Sequence, residues 1–200
     1  MKTILTSLLL IVAVNLFAEG YKVGDRATDF KLKNVDGKTI SLADYPQAKG
    51  FIVVFTCNNC PYAKAYQDRI IALDQKYKAQ GYPVIAINPN DPAVEPADSY
   101  DAMVKKAKEK SYTFPYLYDA KNEVYRSYGA TNTPHAFVLN KDAQGQLIVK
   151  YIGAIDDNYQ DASAVQKPYL ENAVKALMSG KEPETAVTKA IGCGVKSKKT

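Results

Sequence analysis

The chain has 200 residues, 46% of them apolar and 24% charged, with a formal charge of +5, fifteen tyrosines and no tryptophan. That length suits one globular domain whose core folds without disulfide staples. Lysines are spread along the whole sequence, with a small cluster at Lys196, Lys198 and Lys199, and no element alternates basic with aromatic residues; this argues for a solvated surface and against a nucleic-acid partner.

The first 18 residues differ from the rest. Lys2 supplies a charged start, residues 4–14 form an apolar run, and Ala18 is a candidate cleavage residue, although Leu16 at the minus-three position is larger than ideal. The run is short for a bilayer span, so residues 1–18 read as a secretory signal, with an uncleaved membrane tether as the weaker alternative. No cysteine follows Ala18, which argues against a lipid anchor. The mature chain is therefore expected to be soluble and extracytoplasmic, periplasmic or secreted. In such a compartment neighbouring thiols tend to close into disulfides. Cysteines stand at 57, 60 and 193; a structural framework would want a larger and even number.

Residues 29–42 (DFKLKNVDGKTISL) hold two short extended runs around Asp36-Gly37, a strong hairpin signal. Residues 50–56 (GFIVVFT) form a continuous apolar run rich in β-branched residues, as expected of a strand buried on both faces. Beyond Cys60 the period becomes helical, with Ala63, Tyr66, Ile70, Leu73 and Tyr77 on one face and Gly81 as the stop. Residues 83–88 (PVIAIN) predict a second buried strand, and residues 90–96, with two prolines, a loop. Residues 98–110 predict an amphipathic helix capped by Asp98 or Ser99, with lysines toward its C-terminus. A short helix over 121–128 closes at Gly129, and strands over 135–139 and 147–152 flank a polar turn at Gly145. The last helix is expected over 169–178, with Gly180 behind it. Residues 181–200 read as a polar, loosely held tail carrying Cys193, which leaves residues 19–180 as the domain. Strand and helix alternation in the first half predicts a parallel βαβ unit, and the last two strands an antiparallel hairpin.

The stretch FTCNNCPY then falls at the C-terminal end of a central strand, where open α/β sheets place their chemistry. Two residues between cysteines at a helix start bring the sulfurs within disulfide range. Unpaired amides of the first turn face the first sulfur and favour its thiolate. Cys57 is thus expected to be an exposed nucleophile and Cys60 the more buried resolving thiol, exchanging disulfides through a mixed-disulfide intermediate. Asn58 and Asn59 add no cation beside Cys57, which argues against a very strong oxidant.

With these elements and with Thr133-Pro134 placed just before the strand at His135, the sequence resembles the thioredoxin superfamily, in its extracytoplasmic, redoxin-like (AhpC/TSA-type) branch. The resemblance covers roughly residues 29–178. It implies a thioredoxin fold: a central mixed β-sheet flanked by helices, with an N-terminal β-hairpin and an inserted helix. It further implies a cis bond before Pro134, a partner groove bounded by Thr133, Pro134, Gly153 and Ala154, and Asp156 and Asp157 near its rim. No cofactor is implied; electrons pass to or from protein dithiols and disulfides, with a membrane or extracytoplasmic donor. The family's tryptophan before the first cysteine is replaced by Thr56, and its buried aspartate and lysine by Phe51 and Ala86. Cys60 must then release its proton to water or to another carboxylate, Glu95 or Asp119.

Three other readings compete. A zinc or copper site could draw on Cys57, Cys60, His135 and Cys193, but only one CxxC is present; otherwise His135 is a strand histidine packed beside the core, and a module that only binds metal or partners remains open. A peroxiredoxin-like peroxidase needs threonine or serine three residues before the attacking cysteine, where Val54 and Cys57 stand. A purely structural Cys57–Cys60 bridge closes too small a loop to stabilise much. Cys193, in GCGVK, is either an auxiliary thiol that visits the CNNC pair or a tolerated tail residue.

Overall fold

A computed structural model describes residues 20–198; the segment read as a secretory signal lies outside them. The hairpin expected around Asp36-Gly37 forms from β1 (Leu32–Asn34) and β2 (Thr39–Ile40), paired antiparallel with Leu32 opposite Ile40. The GFIVVF run is β3 (Gly50–Phe55), every residue of it buried. It leads to α1 (Pro61–Tyr77), then β4 (Val84–Asn88) and α2 (Tyr100–Glu109). Ser99, not Asp98, caps α2, its hydroxyl accepting from the Ala102 amide at 3.4 Å. There follow β5 (Tyr116–Tyr118), α3 (Val124–Tyr128), the two-residue β6 (Asn132–Thr133), β7 (His135–Lys141), β8 (Leu147–Gly153), α4 (Tyr169–Met178) and β9 (Cys193–Gly194).

Seven strands form one sheet in the order β2-β1-β5-β4-β3-β7-β8. β3, β4 and β5 run parallel, while β7 and β8 run antiparallel on one side and β1 and β2 on the other. The sheet is mixed and helices cover both faces. Alternate residues of β3 feed two cores, as the strand period of two requires. Ile52 and Val54 pack with Tyr66, Ile70 and Tyr77 of α1, Met103 of α2 and Leu170 and Val174 of α4. Phe51, Val53 and Phe55 pack with Phe137, Leu139, Tyr128 of α3 and Phe30. Phe51, standing where the resembled family has an aspartate, is fully buried in that second core with Tyr45 edge-on to its ring.

Three elements differ from the sequence expectation, α3 by starting at Val124 where a helix was expected from residue 121. β5 lies where the sequence predicts no element: Tyr116 and Leu117 pair with Ala86 and Ile87. The tail, expected to be loose, is docked along its described length. Val187 bridges to Ile152, the Thr188 amide donates to the Ile152 carbonyl at 2.9 Å, and β9 pairs with β6. Beyond β9, Val195 N bonds Thr131 O at 3.0 Å and Lys196 N bonds Asn90 Oδ1 at 2.8 Å. The physical reason is that backbone groups hold this strap, while Val187 and Ile191 stay exposed; apolar patterning therefore gives no sign of it.

Candidate active site

β3 delivers the CNNC segment to the start of α1, where Cys60 is the N-cap and Pro61 takes the first helical position, needing no amide partner there. The loop between the cysteines is anchored by Asn58, which is buried. Its amide donates to Asp98 Oδ1 at 2.6 Å, its side chain donates to the Ala97 carbonyl at 2.8 Å and accepts from the Tyr116 hydroxyl at 3.0 Å. Asn59, the exposed member, accepts from Lys64 Nζ at 3.0 Å.

Thr133-Pro134 faces this loop, joined by a cis peptide bond as the resemblance implied. Its position follows from sheet register, since His135 pairs with Phe55 at the end of β3. Thr133 Oγ1 lies 3.1 Å from Cys57 Sγ, and its carbonyl oxygen lies 3.2 Å from Cys60 Sγ.

The third sulfur completes the cluster. Cys60 is joined to Cys193 in a disulfide, with Cα atoms 6.1 Å apart, and Cys57 is a free, buried thiol. Pairing within CNNC, expected from spacing alone, is therefore not the state of this structure. Cys193 arrives on β9, opposite Thr133, and the chain before it crosses the cis-proline loop with the Gly192 carbonyl accepting from Asn132 Nδ2 at 2.9 Å.

Cys57 also differs from the exposed thiolate expected. It is 7% exposed, packed among Cys60, Ala63, Tyr62 and Cys193. Burial raises its thiol above the ordinary value and the Asp98 carboxylate raises it further. The Thr133 hydroxyl and the amides of Cys60 and Asn59 pull it down but do not win. The helix-start amides therefore act as anticipated, against a larger desolvation penalty.

Asp98 is the carboxylate that sequence reasoning missed as a site residue. It is fully buried and accepts from Asn58 N, from Asn90 Nδ2 at 2.6 Å and from Asn88 Nδ2 at 3.4 Å. Asp119, one of the two candidates for taking the Cys60 proton, instead accepts from the amides of Glu123 and Tyr125 at the start of α3. Glu95, the other candidate, is half-buried and precedes the turn that carries Asp98; Asp98, not either candidate, is the carboxylate whose charge acts on Cys57. A signal was available: asparagines at 88 and 90 and aspartate at 98 flank a proline-rich loop just after a buried strand.

The remaining predicted residues separate. Gly153 and Ala154 lie at the end of β8, beside the site but beneath the strap: Ala154 N donates to Thr188 Oγ1 at 2.9 Å, and a Cβ on Gly153, whose φ is +147°, would collide with Thr188. Asp156 is no rim carboxylate. It is buried, paired with Arg69 at 2.7 Å and bonded by the Tyr66 hydroxyl at 2.7 Å. Asp157 is exposed and accepts from the Gln166 amide at 3.0 Å. His135 is 8% exposed, lies against Phe137, and accepts at Nδ1 from the Thr131 amide at 3.3 Å; burial lowers it to about 4. Among the described residues no three His, Cys, Asp or Glu side chains form a cluster able to hold a metal ion, and two sulfurs of the quartet considered above are bonded to each other.

Three sulfurs cluster against a cis-proline loop at the end of a mixed sheet, and with the relatives that follow this makes the protein a thioredoxin-like thiol–disulfide oxidoreductase. The chain belongs to the AhpC/TSA family, whose model matches residues 23–150. It is similar to "Thiol-disulfide oxidoreductase ResA" of Geobacillus thermodenitrificans, 28% identical over 159 residues that span 74% of this chain and 85% of that protein. Among solved structures it resembles an uncharacterized conserved protein from Geobacillus kaustophilus at 34% identity, with a TM-score of 0.82 over 93% of this chain and 95% of the other. A putative thiol:disulfide interchange protein DsbE from Chlorobium tepidum matches at 28% identity, with a TM-score of 0.51 over 64% of this chain and 82% of that one.

Proposed function

We propose that the protein exchanges disulfides with extracytoplasmic protein partners through Cys57 and Cys60, Cys57 attacking and Cys60 resolving. The observation that carries this reading is the convergence of Cys57, Cys60 and Thr133 at the start of α1, with Thr133 Oγ1 3.1 Å from Cys57 Sγ and the Thr133 carbonyl oxygen 3.2 Å from Cys60 Sγ. The Cys57 thiolate attacks a partner's disulfide; the mixed disulfide forms as the partner's other sulfur leaves with the electron pair. Cys60 then attacks Cys57 Sγ, closing the CNNC disulfide and releasing the partner as a dithiol. Thr133 and Pro134 present backbone to the partner's extended chain, with Gly153 and Ala154 beside them. No prosthetic group takes part.

Burial and the Asp98 charge hold Cys57 toward its protonated form. With no cation supplied by Asn58 or Asn59 and the Asp98 charge set against the Cys57 thiolate, the site favours a reductant over a strong oxidant. Export rests on Lys2, the apolar run of residues 4–14 and Ala18. Among the described residues no helix is long and apolar enough to cross a membrane. Insulin reduction driven by dithiothreitol tests the assignment: Cys57→Ser is expected to abolish turnover, and turnover at the wild-type rate in that variant would refute it.

A further inference from the structure

The strap that covers the cis-proline loop has the geometry of a bound partner. β9 adds as a strand to β6, with Thr133 opposite Cys193 and Asn132 opposite Gly194. The attachment is by main-chain pairing, the means by which an extended peptide augments an exposed edge. The fit is tight. A Cβ at Gly192 would collide with the Thr133 carbonyl and with the Pro134 nitrogen, so glycine is required ahead of the cysteine for the chain to lie this close. On either side the strap is pinned, at Thr188 by Ala154 N and the Tyr151 hydroxyl, and beyond β9 by Asn90, by Thr131 and by the Tyr125 hydroxyl on Ser197. The sulfur so delivered is bonded to Cys60.

We propose that the C-terminal strap is an in-chain substrate: Cys193 is a third redox thiol that takes Cys60 from the CNNC disulfide and, in doing so, closes the partner groove. The proposal rests on the disulfide-exchange reading above and adds regulation of the same site. The Cys193 thiolate attacks Cys60 Sγ of a Cys57–Cys60 disulfide. The Cys60–Cys193 bond forms, the Cys57–Cys60 bond breaks, and the electron pair leaves on Cys57 Sγ, which takes up the proton that Cys193 gave up. Oxidation state is conserved, so no outside oxidant is needed. The Thr133 hydroxyl, 3.1 Å from Cys57 Sγ, is placed to donate to the departing thiolate. The product is the state of this structure, with Cys57 a free thiol out of solvent and the groove filled.

A tethered strand competes at an effective concentration in the millimolar range. A protein partner at about 10 μM and of equal intrinsic affinity is therefore outcompeted by a factor on the order of 100. Opening takes either return attack by Cys57 on Cys60, which the docked strap disfavours, or reduction of Cys60–Cys193, so the oxidised enzyme is held latent until a dithiol reaches it.

The test uses the full mature chain, reduced, reoxidised with one equivalent of an oxidised dithiol, quenched in acid, alkylated and mapped by peptide mass spectrometry. Wild type is expected to carry Cys60–Cys193 with Cys57 alkylated, at least tenfold over Cys57–Cys60. Gly192→Val keeps all three thiols but removes the docking, and is expected to reverse that ratio. In insulin reduction at low dithiothreitol, Gly192→Val and Cys193→Ser are both expected to turn over about tenfold faster than wild type. A wild-type map dominated by Cys57–Cys60, or variants no faster than wild type, would overturn the strap proposal while leaving the CNNC reading standing. That reading fails separately, on undiminished turnover in Cys57→Ser.

Discussion

Replacing Asp98 with asparagine separates its charge from its shape. The carboxylate is fully buried and accepts two short bonds, from Asn58 N and Asn90 Nδ2, each at 2.6 Å. An amide of the same size accepts only through its oxygen, so one bond loses its charge assistance and the other donor meets an NH2 group. Weakening the first costs about 1 kcal/mol and leaving a buried donor unsatisfied a further 1–3 kcal/mol, roughly 2–4 kcal/mol together. The same change removes a negative charge that raises the Cys57 thiol. The Cys57 titration is therefore expected to move down, giving more thiolate at neutral pH. Urea unfolding at pH 7 measures the first effect. The second is read from the pH dependence of alkylation of the form with Cys60 bonded to Cys193, in which Cys57 is the free thiol. A Cys57 titration that stays put or moves upward in Asp98→Asn would refute the electrostatic reasoning. A stability loss below about 1 kcal/mol would refute the account of Asp98 as the anchor of the CNNC loop.

His135, lowered from 6.5 to about 4 by burial, binds a proton less well folded than unfolded. Its contribution to stability is complete above the unfolded value, erodes as pH falls below 6.5 and is gone near 4, a total of about 3 kcal/mol. His135→Gln is expected to flatten that part of the stability profile by this amount in urea unfolding at pH 7 and pH 4; parallel profiles would contradict it. Arg69→Met strands the buried Asp156 carboxylate, which Arg69 meets at 2.7 Å. Loss of one partner of a buried pair costs about 3–5 kcal/mol, and thermal unfolding should show it without loss of the cysteine chemistry.

Much of the fold is legible because long elements carry their own period. The unbroken run of β3, the helical spacing of α1 and the Asp36-Gly37 turn each bury or expose residues in a way one-dimensional patterning records. β5 escapes because three residues are too few for a period of two to stand out, and its identity as a strand comes from β4 and β1 on either side. The start of α3 at Val124, later than expected, follows from Asn122, whose φ of +56° ends any helix begun at Lys121. That Cys57, Cys60 and Thr133-Pro134 lie together at the end of β3 was legible, because local structure and the family resemblance place them there. Asp98 and the strap were not, for a shared reason. Both act through backbone and polar bonds between segments far apart in sequence: Asp98 with Asn58, and Gly192 and Cys193 with Asn132 and Thr133. Such bonds leave no apolar pattern. The closing of the strap over the thiols also explains why Cys57, exposed by local reasoning, is buried in the assembled chain.

Trapping of the mixed disulfide tests the assignment of the attacking sulfur most directly. Cys60→Ser, incubated reduced with a disulfide-bearing peptide, is expected to accumulate an adduct that maps to Cys57, because the thiol that would release it is gone; Cys57→Ser is expected to accumulate none at Cys60. Adducts at Cys60 in Cys57→Ser, with none at Cys57 in Cys60→Ser, would contradict the account.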